Sequence, residues 1–205
     1  MMKYTPRLEK AIRTAAILHK EQFRKDGTPY FSHPYSVAVI LSEYTDDEDI
    51  IIAGLMHDTI EDVEGYTHEK LKDSFGERVA DIVEGVTQER WSGHKEIPKP
   101  ERIKMYEEML QRDLDKIDKA GPGSVLVSGA DKIHNLLSIM EGAKNEGENY
   151  LNHFKSNLEQ KLRYYRHALI LIRKYHPNIG LADKLEMSLN EADEVLKPYI
   201  KPIKS

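Results

Sequence analysis

The 205-residue chain contains no cysteine, so disulfide frameworks, thiolate metal sites, iron–sulfur clusters and cysteine nucleophiles are excluded together. Aromatic residues are scarce, at 8% with a single tryptophan, and the nine prolines are scattered through the chain. The longest apolar run is Ile50 to Met56, far short of the roughly 20 residues that a membrane-spanning helix needs. Residues 1–20 hold no continuous apolar stretch of secretory type, and the chain reads as a cytoplasmic protein with no membrane partner. A surplus of positive charge is missing too. With 30 basic against 35 acidic side chains the formal charge is −5, which disfavours a role in coating nucleic acid. A few local cations still suffice for a small phosphorylated ligand.

What is present is helical periodicity almost throughout. Thr5-Pro6 opens the first helix as N-cap and first-turn proline, and Leu8, Ile12, Ala15 and Leu18 step along one face. The turn-rich stretch Arg24 to Ser32 leads into a helix beginning at His33-Pro34. The acidic cluster Asp46 to Asp49 suits the N-terminus of a third. Thr67 caps a short helix ending at Gly76, and Val79, Ile82, Val83 and Val86 mark the next. Residues 88–100, with Trp91 and two prolines, read as a long loop. Ile103, Tyr106, Leu110, Leu114 and Ile117 give an amphipathic helix that Gly121-Pro122-Gly123 ends. A core helix follows through Ile133, Leu136 and Met140, then a long one carrying Phe154, Leu158, Leu162, Tyr165, Leu169 and Ile172. A last helix runs to about Leu196. The β-branched run Ser124 to Ser128 is too short to demand a strand. The expectation is an all-α single domain of roughly nine helices over residues 1–205, with a core at about 5–145 and C-terminal helices at about 150–198.

Residues 50–62 carry the chemistry. An apolar run, buried by its composition, ends in His57-Asp58-Thr59-Ile60-Glu61-Asp62. On a continuous helix these four ionisable groups fall within about a 140° arc of one face. Three carboxylates and an imidazole so close are costly without a counter-charge, and a divalent cation supplies one. His33 follows a turn, a position that equally suits a capping or packing residue. Asp131 and Asn135 lie four apart, so both can face one pocket, although Asp131 also fits a helix start after Gly129.

The order His33, His57-Asp58, Asp131 resembles the HD superfamily of metal-dependent phosphohydrolases. More narrowly, Arg24-Lys25-Asp26-Gly27-Thr28-Pro29-Tyr30, His33-Pro34, His57 to Asp62 and Ala130-Asp131-Lys132-Ile133-His134-Asn135 are similar to the hydrolase domain of RelA/SpoT-type alarmone enzymes and their small stand-alone relatives. Phe75 to Val79 and Val83 to Thr87 extend the similarity over about residues 8–141. The resemblance implies one divalent cation, Mn²⁺ first with Fe²⁺ or Zn²⁺ as alternatives, held by His33, His57, Asp58 and Asp131. It implies Glu61 and Asp62 as the pair that orients a water and manages its proton, and Arg24, Lys25 and Asn135 as contacts to a small phosphorylated nucleotide. Tyr30 and His134 are equally readable as pocket or packing residues. Two positions depart from the alarmone pattern: Ser128 and Leu137 stand where basic residues are usual. Three functions stay open: a guanosine 3′,5′-bis(diphosphate) 3′-pyrophosphohydrolase, an HD phosphohydrolase for another nucleotide or phosphate ester, and a catalytically silent nucleotide-binding module. Oligomeric state is not legible.

Overall fold

The computed structural model describes residues 3–88, 99–154 and 158–200, and the long loop expected around Trp91 falls largely outside them. Helices α1 (Pro6–Leu18), α2 (Ser32–Ser42), α3 (Glu48–Met56), α4 (Thr59–Asp62), α5 (His68–Phe75) and α6 (Glu77–Val86) form the first half. Helices α7 (Lys99–Ala120), α8 (Pro122–Glu146), α9 (Glu148–Leu151), α10 (Leu158–Tyr175) and α11 (Leu181–Leu196) form the second. Among the described residues nine helices have eight residues or more, α4 and α9 are single turns, and no strand occurs beyond one isolated bridge between Phe23 and Pro29.

The capping signals act where the sequence puts them. Thr5 accepts from the Leu8 amide with Pro6 at N1, and the Asp47 side chain accepts from the Asp49 amide. Thr67 caps α5, which Gly76 ends at a φ of 94° that disfavours any side chain. The second half departs from expectation in two places. Gly121, at a φ of 89°, ends α7 and starts α8 at once, so Ser124 to Ser128 and Asp131 all lie inside one 25-residue helix. Asp131 is therefore a mid-helix residue. Phe154 lies in a turn ahead of α10, because α9 ends at Leu151.

Helix α8 is the axis of the molecule. It packs against α2, α3, α6, α7, α9, α10 and α11, and its Val125, Leu126, Ile133, Leu136, Ile139 and Met140 are all buried. Burying each such side chain contributes about 1.5–3 kcal/mol. Close approach matters most at α3 against α2. A Cβ on Gly54 would sit 2.4 Å from Leu41 Cδ1, so any larger residue would have to push that buried side chain aside where the two helices meet. That contact sets the N-terminus of α2 beside the C-terminus of α3, with the middle of α8 facing both.

Candidate active site

The segment from α3 to α4 is not one continuous helix. Helix α3 stops at Met56, His57 and Asp58 form its cap and a turn, and α4 restarts at Thr59. Side chains take the carbonyls that helix continuation would use: His57 Nδ1 bonds the Gly54 carbonyl at 2.9 Å, and Thr59 Oγ1 donates to the Met56 carbonyl at 2.6 Å. The single-face arc expected for His57, Asp58, Glu61 and Asp62 is corrected accordingly. The break still turns all four toward one region.

His33 Nε2 lies 3.2 Å from His57 Nε2, 3.2 Å from Asp131 Oδ1 and 3.5 Å from Asp58 Oδ2. His57 Nε2 lies 3.1 Å from Asp58 Oδ1 and 3.8 Å from Asp131 Oδ1. Both rings are almost completely buried. Donor atoms of His33, His57 and Asp58 all fall within 4.8 Å of one another, which makes a possible His/Asp metal site, with Asp131 facing both rings. The electrostatics fit a cation. Burial alone would lower the His57 pKa, but Asp58 and Asp131 hold it well above the usual imidazole range. Burial pushes the Asp58 carboxyl up, yet His57 and His33 hold it well below the usual carboxylate range. Asp131 is depressed in the same way, against burial, by Lys132 and the two imidazoles. The cluster stabilises positive charge at its centre, and a mixed nitrogen–oxygen set of this kind suits Mn²⁺, Fe²⁺ or Zn²⁺.

Each ring nitrogen turned away from the centre is also occupied. The Gly54 carbonyl makes His57 Nδ1 a donor, so in the neutral ring it is Nε2 that turns its lone pair to the centre. His33 Nδ1 lies 2.8 Å from His134 Nδ1. Burial, with His33 and Arg24 nearby, pushes the His134 pKa down to about 4, so its ring is neutral; when His33 turns the Nε2 lone pair to a cation, its Nδ1 carries the proton and donates to His134. The Tyr30 hydroxyl reaches Asp58 Oδ2 at 2.7 Å and Asp62 Oδ2 at 3.2 Å. Both residues touch the site directly.

The cluster opens into a cavity of about 170 Å³. Glu61 lines it, with Oε2 accepting from the Gln88 amide at 3.0 Å. Burial, reinforced by Asp58, Asp62 and Asp113 and opposed by that amide, pushes the Glu61 pKa to about 7. Such a carboxyl exchanges its proton near neutral pH. Arg24 and Asn135 also line the cavity, joined at 3.5 Å, and Asn135 Nδ2 donates to Asp131 Oδ1 at 2.5 Å. The turn carrying Arg24 is fixed by Asp26, whose Oδ1 accepts from the Thr28 amide and hydroxyl, and by Gly27 at a φ of 81°. Lys25 is not brought to the cavity wall; its ammonium sits 3.1 Å from the centroid of the Phe154 ring. Sequence reasoning missed Lys132, whose ammonium donates to Asp131 Oδ2 at 3.0 Å, and the opposite wall of Gln88, Tyr106, Lys161, Tyr164 and Tyr165. Burial pulls the Lys161 pKa down to about 8, while Asp131 opposes it.

An all-α domain with a buried His/Asp cluster at the end of a polar cavity defines a class of helical proteins with a possible His/Asp metal site. The chain belongs to the HD domain family, whose model matches residues 11–155, more than two thirds of its length. It is 36% identical over 139 residues to a guanosine-3′,5′-bis(diphosphate) 3′-pyrophosphohydrolase of Aquifex aeolicus, a match covering 67% of this chain and 18% of that protein. It is 37% identical over 129 residues to the human guanosine-3′,5′-bis(diphosphate) 3′-pyrophosphohydrolase MESH1, covering 61% of this chain and 65% of that one. A solved structure described as a metazoan orthologue of SpoT that hydrolyses ppGpp superposes with a TM-score of 0.61 at 25% identity. That superposition covers 94% of this chain and 96% of the other. The chain thus spans less than a fifth of the Aquifex relative and just under two thirds of the human one.

Proposed function

We propose that the protein is a metal-dependent phosphohydrolase that releases pyrophosphate from the 3′ position of a guanosine 3′,5′-bis(diphosphate)-type nucleotide. One observation carries the reading: a cation-stabilising His33/His57/Asp58/Asp131 cluster and a carboxyl titrating at about 7, Glu61, border one cavity. The names of the relatives and of the matched solved structure support the same substrate class. His33, His57, Asp58 and Asp131 would hold the cation; the donor set suits Mn²⁺, Fe²⁺ or Zn²⁺ alike, and the resemblance to the alarmone hydrolases puts Mn²⁺ first. When bound, such an ion polarises a phosphoryl oxygen and lowers the pKa of water.

The remaining work belongs to the side chains around the cluster. Glu61 accepts the proton of the attacking water and orients it, assisted by Asp62, whose carboxylate shares the Tyr30 hydroxyl with Asp58. Arg24 clamps the nucleotide from the basic turn, and Asn135 holds Arg24 to Asp131. Lys132 and Lys161 place two more cations at the cavity, which suits a ligand with more than one phosphate group. Lys25 acts at most through the turn, given its seat on Phe154. A net charge of −5 with cations gathered at one cavity favours a small anionic partner over nucleic acid. No described helix is long and apolar enough to cross a membrane, and a cytoplasmic setting as a single domain over residues 1–205 completes the proposal.

A second reading, another nucleotide or phosphate ester, is favoured by Ser128. Ser128 lines the cavity with its hydroxyl buried and without a hydrogen-bond partner, where the alarmone pattern has a basic residue. The test is a panel of nucleotides and phosphate esters offered to Mn²⁺-loaded protein, with products identified by phosphorus NMR. Pyrophosphate from the 3′-diphosphorylated guanosine nucleotide, with simple monoesters untouched, is the expected result. Rapid cleavage of monoesters with the alarmone left intact would select the second reading. Binding without any turnover would select a silent nucleotide-binding module.

A further inference from the structure

Helix α7 turns an apolar face inward through Leu110, Leu114 and Ile117, and Asp113 lies on that same buried face. At 7% exposure it is the one carboxylate among the fully buried polar residues described. A hydrophobic residue there would avoid the cost of burying a charge, so packing does not explain an aspartate. Its partners do. Asp113 Oδ2 accepts from Gln88 Nε2 at 2.9 Å and from the Tyr164 hydroxyl, which itself lies 3.5 Å from Gln88 Nε2. The main-chain amide of Gln88 donates to Glu61 Oε2 at 3.0 Å. Three residues further along α7, Lys116 donates to the Thr87 carbonyl at 2.9 Å, so the helix grips residues 87 and 88 at two points. Lys132, whose ammonium lies 5.2 Å from the centroid of the Tyr164 ring, supplies a nearby positive charge.

We propose that Asp113 is a positioning residue that clamps the Gln88 side chain, and thereby the Gln88 amide, so that one oxygen of Glu61 is fixed and the other is left for a water in the cavity. The proposal rests on the role given to Glu61 above. A fixed carboxylate matters because a proton acceptor displaced by an ångström loses much of its effect. Asp113 touches neither the cation cluster nor the ligand side of the cavity, so its loss acts on turnover and not on affinity.

The test compares Asp113→Ala, Gln88→Ala, their double variant and Asp113→Asn in Mn²⁺-loaded protein. Each single alanine should lower kcat for pyrophosphate release by about 10–100-fold, with KM and Mn²⁺ affinity within about twofold of wild type. The double variant should be no worse than either single one, because both break one chain of contacts. Asp113→Asn keeps an oxygen that accepts from both donors and should recover to within about fivefold of wild type. Exchange of the residue 88 amide, followed by NMR, should quicken by about tenfold or more in both alanine variants. Additive losses, a parallel loss of Mn²⁺ affinity, or unchanged exchange would each overturn the proposal. If wild-type protein releases no pyrophosphate, the functional reading falls while the exchange measurement still decides this one. Should Asp113→Ala fail to fold, Gln88→Ala removes no buried charge and carries the same expectations.

Discussion

The two walls of the cavity satisfy their polar groups in opposite ways. On the wall made by α2, α3, α4 and α8, nitrogen and oxygen lone pairs of His33, His57, Asp58 and Asp131 face one another at 3.1–3.8 Å. Protons or a cation must fill that centre. On the wall made by α7, α10 and the end of α6, Asp113, Gln88 and Tyr164 pair donors with acceptors and need nothing further. The difference teaches a division of labour. An unsatisfied cluster buys affinity for charge, whereas a closed network holds its neighbours still.

The comparison breaks most sharply at the cluster itself. His57→Ala or Asp131→Ala should abolish both Mn²⁺ binding and turnover, read by calorimetry and pyrophosphate release. Glu61→Gln should keep the metal and lose turnover by about 10²–10⁴-fold, since it removes proton transfer and not a ligand. Loss of metal together with rate would instead make Glu61 part of the cluster. His134→Ala removes the acceptor that orients His33, and Mn²⁺ affinity should fall by about 10–100-fold. Arg24→Ala should raise KM by about tenfold or more at constant metal content, and Lys25→Ala should change KM less, because only Arg24 lines the cavity.

The smallest effect concerns stability. Glu61 has a folded-state pKa raised from the ordinary 4.5 to about 7 by burial. Its neutral form is favoured in the folded protein, so the benefit is complete below about pH 4.5 and is lost as pH rises through 7. In metal-free protein, Glu61→Gln stays neutral at every pH. Its Tm should therefore gain on that of wild type by a few degrees between pH 5 and pH 8. A difference independent of pH would contradict the burial of that carboxyl.

The same division explains what could be read from the sequence. Helix starts at Thr5-Pro6 and Thr67 and the glycine stop at Gly76 are local, so their residues announce them. The His/Asp cluster was legible because His57-Asp58 and Glu61-Asp62 break an apolar run, and because the spaced motifs resemble the HD pattern. Tyr30 and His134 were ambiguous, since a ring beside a ligand and a ring in a core have the same local sequence. The far wall was hidden for a different reason. Asp113 and Gln88 lie 25 residues apart, and Tyr164 lies 51 beyond Asp113, so only tertiary packing joins them. One signal was available: a charge at position 113, on the stripe of Leu110, Leu114 and Ile117. The break at His57 could not be foreseen from periodicity, because side-chain bonds to the Gly54 and Met56 carbonyls decide it.

The central claim is that one wall binds the cation and the other does not. Calorimetric titration of Mn²⁺ into wild type, His57→Ala and Asp113→Ala tests it most directly. The account predicts one site in wild type, the same site with unchanged affinity in Asp113→Ala, and none in His57→Ala. Equal weakening in both variants, or retained binding in His57→Ala, would contradict it.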